Sequence, residues 1–300
     1  MNKNSAAART NSTIDTNAIA VKQSPNKLIW RRFKKSKMAM LGLIVVALLF
    51  WVAIFADIIA PYRYDAQNLM DSFLYPSLKH PMGTDDFGRD LFSRLVYGSR
   101  ISLLIALLSV SMSLTVGCLL GATAAFYGGR YETIVMRILD AIMSIPPLLY
   151  AISLSAALGP GIFTTAVAIA FSAVPAFARV TRASVITVKE QEYVEAARAI
   201  GADNGRILGK HIIPNALSPI FVQTTIMIVT AILTISMLSF IGLGVQPPIP
   251  EWGSILSMGR EYIRDFWPIV VFPGLMIMIT LISFNLLGDG LRDALDPRLK

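Results

Sequence analysis

KEQEYVEAARAIGADNGRILGKHIIP, running from Lys189 to Pro214, is a polar, helix-forming stretch in a basic segment between two long apolar runs. At helical spacing Tyr193, Ala196, Ala197 and Ile200 share one face, with Gln191, Glu192, Glu195 and Arg198 on the other. Two alanines make the apolar face flat. Glu190 and Glu192 at the start and Arg198 near the end suit the helix dipole, and Gly201 can take the left-handed conformation that closes a helix. Asp203 can then cap a second short helix. The expectation is a rigid helix from Lys189 to Ile200, about 12 residues and roughly 18 Å long, with a smooth side open to a partner.

Outward from that stretch the chain is apolar. Of 300 residues 54% are hydrophobic and 15% charged, and the mean hydropathy of +0.59 excludes a soluble globular domain. Leu41 to Ala60, Ile101 to Tyr127, Ile134 to Leu158, Ile162 to Ala178, Ala216 to Val245 and Pro268 to Gly288 are each long enough to cross about 30 Å of hydrocarbon, which gives an all-α polytopic fold with six transmembrane helices. The implied organisation is a mostly disordered basic tail over 1–36, a first transmembrane helix over 37–60 and an extracytoplasmic loop over 61–100. Beyond these lie a transmembrane core over 101–288, containing a cytoplasmic loop at 179–214, and a cytoplasmic tail over 289–300. Within the first tail, residues 1–26 lack any apolar period that buries a core. Arg31, Arg32, Lys34, Lys35 and Lys37 precede a run too long for a cleaved leader, so the first span reads as a retained anchor.

The net charge of +8 invites a nucleic-acid partner until it is mapped along the chain. Alternate loops hold 20 of the 27 Lys and Arg residues on one side and seven on the other. That asymmetry is a membrane-topology signal; it places both termini and the 179–214 loop in the cytoplasm and removes the case for nucleic acid.

The spans carry little chemistry. Gly117 and Gly121, four apart, let a neighbouring helix approach closely, and Cys118, alone in the chain, excludes an internal disulfide. Arg137 and Asp140 are spaced to pair on one helix, while Pro146, Pro147 and Pro175 should kink or unwind their helices. No buried chain of carboxylates or histidines suggests proton coupling, and no reactive pair suggests an intramembrane hydrolase. The Gly-x-x-x-x-Gly-Lys-Ser/Thr phosphate loop is also absent, so a nucleotide site, if transport is powered, lies on another polypeptide. His80 with Asp85, Asp86 and Asp90 has metal-ligand residue types, but a lone histidine among solvated acids reads as ordinary loop chemistry. Pro247, Pro248 and Pro250 stiffen the last external loop, where Glu251 and Trp252 are candidates to face a soluble receptor or the translocation mouth; a membrane-interface tryptophan is the alternative.

Glu195-Ala196-Ala197, three residues, Gly201, then His211-Ile212-Ile213-Pro214 resembles the EAA loop of the membrane subunits of ABC importers, departing from it where His211 and Ile213 replace an Ile and a Leu. The resemblance implies a type I permease (MetI-like) fold. It also implies that this loop is a coupling helix seated in a groove of an ATP-hydrolysing subunit, with Glu195, Ala196, Ala197, Arg198, Gly201 and Pro214 as the coupling residues. Gly83 to Arg100, Gln246 to Gly253 and Asn285 to Arg298 extend the likeness to the dipeptide, oligopeptide and nickel group of binding-protein-dependent permeases, most of all to second membrane subunits of dipeptide permeases. The resemblance therefore implies a non-enzymatic subunit in a bacterial inner membrane. Its expected partners are a homologous membrane subunit, one or two ATPase subunits that hold ATP and Mg, and an extracytoplasmic solute-binding protein that delivers short peptides. Nickel, a metal chelate or glutathione are alternative cargoes in the same architecture, and a proton-coupled secondary transporter is the alternative of a different class.

Overall fold

The computed structural model describes residues 25–295. In chain order the helices are α1 (Pro25–Lys35), α2 (Lys37–Ile54), α3 (Ala56–Ile59), α4 (Leu91–Tyr127), α5 (Gly129–Met143), α6 (Pro147–Leu158), α7 (Ile162–Lys189), α8 (Glu192–Ala199), α9 (Asn204–Arg206), α10 (Ile213–Phe240), α11 (Trp252–Gly259) and α12 (Pro268–Leu295). A widened π turn over Ile207–Ile212 joins α9 to α10. Among the described residues the only strand-like pairing is an isolated bridge between Thr84 and Asp90.

Among the described residues five helices are long and apolar enough to cross a membrane, and the pair α5 and α6, bent by 83° at its break, brings the number to six when counted as one broken span. Pro147 opens α6 and Pro146 precedes it, so the break falls where two backbone donors are missing. At Pro175 the helix does not unwind, and α7 continues through it.

Span ends also depart from the apolar runs. α4 begins ten residues early, at Leu91, because Asp90 caps it, accepting from the Ser93 N–H at 2.7 Å. Its two arginines have partners: Arg94 lies 3.4 Å from Asp85, and Arg100 donates to the Ala53 and Ile54 carbonyls that end α2. At the other extreme α12 does not stop at Gly288, Asp289 and Gly290 but runs to Leu295. Those glycines serve packing: a Cβ on Gly290 would lie 2.1 Å from the Ala39 side chain, and one on Gly288 would lie 2.4 Å from Thr225. In the expected tail, residues 25–35 form α1, whose Phe33 is buried with Ala39 and Ala294, and Ser36 caps α2. Of residues 1–26, expected to be disordered, 25 and 26 begin α1, while 1–24, like the last five residues, lie outside the described residues.

α4 and α7 form the centre, backed by α10, with α12 and α2 outside them. Lipid tails are as apolar as leucine, so helices in a bilayer associate through close packing. Gly121 shows what that requires. A Cβ there would sit 2.3 Å from the Ala178 carbonyl oxygen, and one on Gly117 would sit 2.6 Å from the Phe177 Cβ. Leu103, Ile105, Phe177, Ile232 and Ile235 fill the core around this seam.

Candidate functional site

α8 is shorter than the sequence suggests. α7 continues to Lys189, Glu190 leaves helical geometry at φ −86° and ψ 5°, and Gln191 is extended, so the polar stretch is the end of one helix plus eight residues of another. The Lys189 ammonium explains the boundary. It donates to the Ala125 and Phe126 carbonyls at 3.2 and 2.7 Å, satisfying acceptors that the last turn of α4 leaves open.

The inward face is also different. Val194 and Ala197 are buried, and Val194 joins Ala122, Phe126, Val185, Ile207 and Ile212 in one apolar cluster. Tyr193, Glu195, Ala196 and Arg198 are exposed, and Ile200 protrudes at 85% exposure. The Ala pair is therefore split: Ala196 belongs to the outer surface, while Ala197 anchors the helix. Val194, Ile207 and Ile212 carry this placement, and the sequence signal for them was the spacing of Val194 and Ala197, three apart.

Gly201 closes α8 at φ +82°. Its N–H donates to the Arg198 carbonyl at 3.0 Å and the Ala202 N–H to the Ala197 carbonyl at 3.1 Å, the paired bonds of a Schellman ending. Asp203 then caps α9, accepting from the Arg206 N–H at 2.9 Å. Pro214, exposed, is the second residue of α10, and the π turn lies just before it, where a proline has no N–H to give.

Beside this loop, Asp140 pairs with Arg179 at 2.5 Å rather than with Arg137, which is exposed, and Glu132 accepts from Arg182 at 2.6 Å. The helical spacing of Arg137 and Asp140 is correct, but a guanidinium on α7 reaches Asp140 across the interface. Two ion pairs thus bind α5 to α7.

At the opposite end of the bundle the structure corrects two assignments. Glu251 and Trp252 offer no surface, since both are 0% exposed. Glu251 caps α11, accepting from the Gly253 and Ser254 N–H groups at 2.9 Å each, and from the Ser102 hydroxyl of α4 at 3.0 Å. The Trp252 indole N–H donates to the Leu95 carbonyl at 3.0 Å. The residue types suited a wet interface; their partners, about 150 positions earlier in the chain, were not visible in sequence.

Of the acids grouped with His80, Asp85 and Asp90 are not solvated either. Asp85 is buried, accepting from the Phe87 and Arg89 N–H groups and from Arg89 Nε at 2.7 Å, with Arg94 alongside. Asp90 faces His80 Nδ1 at 2.9 Å. These residues form a folded clamp on the start of α4, and among the described residues no group of three or more His, Cys, Asp or Glu is arranged to hold a metal ion.

An all-helical bundle of five long apolar helices, with a broken helix pair between the second and third and a short glycine-closed helix between the third and fourth, is the architecture of a membrane permease subunit. Solved structures bear this out at the level of fold. Two inward-facing forms of the MetNI methionine ABC transporter align with TM-scores of 0.55 and 0.57 at 21% and 19% identity, covering 68% and 69% of this chain and 96% and 98% of theirs. The chain belongs to the binding-protein-dependent transport system inner membrane components, whose family pattern matches residues 86–300, and the N-terminal TM domain of oligopeptide transport permease C matches residues 24–80. It is 44% identical to the dipeptide transport system permease protein DppC of Alkalihalophilus pseudofirmus, over 92% of this chain and 91% of that one. The same identity relates it to the di/tripeptide permease protein DppC of Pseudomonas aeruginosa (92% and 93% covered) and the glutathione permease protein GsiD of Escherichia coli (93% and 92%). This is a multi-pass inner-membrane protein, the permease subunit of an ABC importer.

Proposed function

We propose that this chain forms, with a homologous membrane subunit, the path by which short peptides delivered by an extracytoplasmic solute-binding protein enter the cell. One or two partner ATPases hold ATP and Mg and supply the energy; this chain holds no cofactor. The observation that carries the proposal is 44% identity to dipeptide and di/tripeptide permeases along 92% of its length. The basic-residue asymmetry supports a cytoplasmic placement of both termini and of α8.

In this mechanism Glu195, Ala196 and Arg198, with Tyr193 and Ile200, meet the ATPase. Ala197 holds α8 against the bundle, Gly201 sets its exit, and Pro214 begins the next crossing. Closure of the ATPases displaces α8, and contact carries the displacement into α4 and α7. The test is uptake in vesicles containing the complete transporter and its receptor. Uptake of di- and tripeptides that needs ATP is the expected result; uptake driven by a proton gradient without the ATPases would overturn the mechanism.

Glutathione is a second cargo, favoured by the 44% identity to a glutathione permease. It is itself a tripeptide with one γ-linked bond, so titrating the receptor with α-linked tripeptides and with glutathione separates the two.

A further inference from the structure

From Thr16 to Ala56 the sequence has no Asp or Glu, yet α1 and the residue that opens α2 carry Lys27, Arg31, Arg32, Lys34, Lys35 and Lys37. Helical spacing sorts α1 into two faces. Ile29 and Phe33, four apart, turn inward: Phe33 is buried with Ala39 and Ala294, Leu287 and Leu291 of α12 pack beside them, and a Cβ on Gly290 would lie 3.0 Å from the Phe33 ring. Lys27, Arg31, Lys34 and Lys35, at i, i+4, i+7 and i+8, form an exposed stripe on the other side. Trp30 stands at one edge of the stripe, 48% exposed, stacked on Phe33 and capped by the Lys34 ammonium 5.1 Å from its ring centre. Leu28, also exposed, stands at the other edge.

Like charges four apart repel along a helix, and a cation in the first turn opposes the helix dipole. Among the described residues no carboxylate pairs with the stripe; Asp289 and Asp293 of α12, the element under α1, are exposed and form no ion pair with it. Left in water, these four charges work against the helix that carries them. An anionic surface reverses the sign of that effect. Ser36 alone separates α1 from α2, the first span, which sets α1 at the level of the lipid headgroups. Met38 and Leu41, exposed on the first turns of α2, continue from there toward the acyl chains. We infer that α1 is a binding surface for anionic phospholipid headgroups, whose phosphates the Lys27, Arg31, Lys34 and Lys35 stripe holds. The exposed indole and the one-residue link to a span favour lipid over a protein partner. Because α1 is seated on α2 and α12, headgroups held there brace the ends of both helices.

The test titrates the complete transporter, in a neutral detergent, with fluorescent phosphatidylglycerol and in parallel with fluorescent phosphatidylcholine. Replacing Lys27, Arg31, Lys34 and Lys35 together by Gln keeps good helix formers and leaves the Phe33 seat intact. Affinity for phosphatidylglycerol should fall at least about tenfold in that variant, with affinity for phosphatidylcholine unchanged. Lys27→Arg with Lys34→Arg and Lys35→Arg should bind as wild type does. Phosphatidylglycerol should also raise the thermal midpoint of wild type and not that of the Gln variant. If the fourfold variant does not extract, Arg31→Gln with Lys35→Gln makes the same comparison, with a loss of about threefold. Equal phosphatidylglycerol affinity in wild type and Gln variants overturns the inference, as does displacement of the lipid by inorganic phosphate, which would mark a site for free anions. Variants that keep the lipid but lose their partner subunits on purification also overturn it, because the stripe would then belong to a protein contact. The measurement uses no peptide, receptor or ATP, so its failure leaves the proposed cargo untouched.

Discussion

Gly201 is penalised for replacement by its backbone alone, since φ is +82° and nothing lies within 4 Å of a Cβ placed there. Gly201→Ala should cost about 1–2 kcal/mol locally, leaving insertion intact while receptor-stimulated ATP hydrolysis and uptake fall together; wild-type uptake in vesicles would remove α8 from the coupling route. Asp85 makes the opposite case, because it is the shared counter-charge of Arg89 and Arg94, both buried. Asp85→Asn leaves Arg94 without a carboxylate and Arg89 with only Asp86, 3.6 Å away, and should destabilise the purified protein by about 3–5 kcal/mol, read as a drop in thermal midpoint in detergent. Its neighbour Asp86 behaves in the reverse sense. Burial, and then the Asp85 charge, raise its carboxyl above the usual range. A raised carboxylate pKa contributes stability that is full below the unfolded value and is lost as pH rises through the folded one. Asp86→Asn should therefore flatten the decline in thermal midpoint on going from acid to neutral pH, and an unchanged slope would count against that account.

Among the elements, the crossings were legible because about 20 apolar residues in a row have few other uses. Their ends were not. The first turns of α4 carry Arg94 and Arg100, whose charges disguise a helix start until Asp85 and the carbonyls of α2 are seen beside them. The split of the polar loop into two helices was hidden for the same reason, since Lys189 ends α7 by reaching carbonyls more than 60 residues earlier. By contrast, Gly201 as a helix terminator, Asp203 as a cap and Gly117 with Gly121 as a packing seam were readable, because each is a local requirement of the backbone. The seam makes a sharp prediction. Gly121→Leu drives a side chain into the Ala178 backbone, so α4 and α7 must separate, and the assembled complex should be lost from detergent extracts while Leu119→Ala, on the exposed side of α4, extracts normally.

For the molecule as a whole, α1, α8 and the end of α12 gather at one end, the 61–90 clamp and α11 at the other, an arrangement that agrees with the distribution of basic residues. Fusing a reporter to either terminus should give cytoplasmic signals for both; a split result would overturn the orientation. The relief of the candidate site was not legible: Glu195, Ala196 and Arg198 lie on the outside and Ala197 does not. Trp252 and Glu251 were misjudged because long-range burial leaves no trace in local spacing.

α4 spans 37 residues, about 55 Å as an uninterrupted helix, more than the hydrocarbon it crosses. Lys189 grips its last turn and Asp85 its first. A strut held at both extremities carries a displacement from one water phase to the other without relays inside the bilayer. In the mechanism proposed above, arrival of a loaded receptor on one side and nucleotide engagement on the other would act on this one helix.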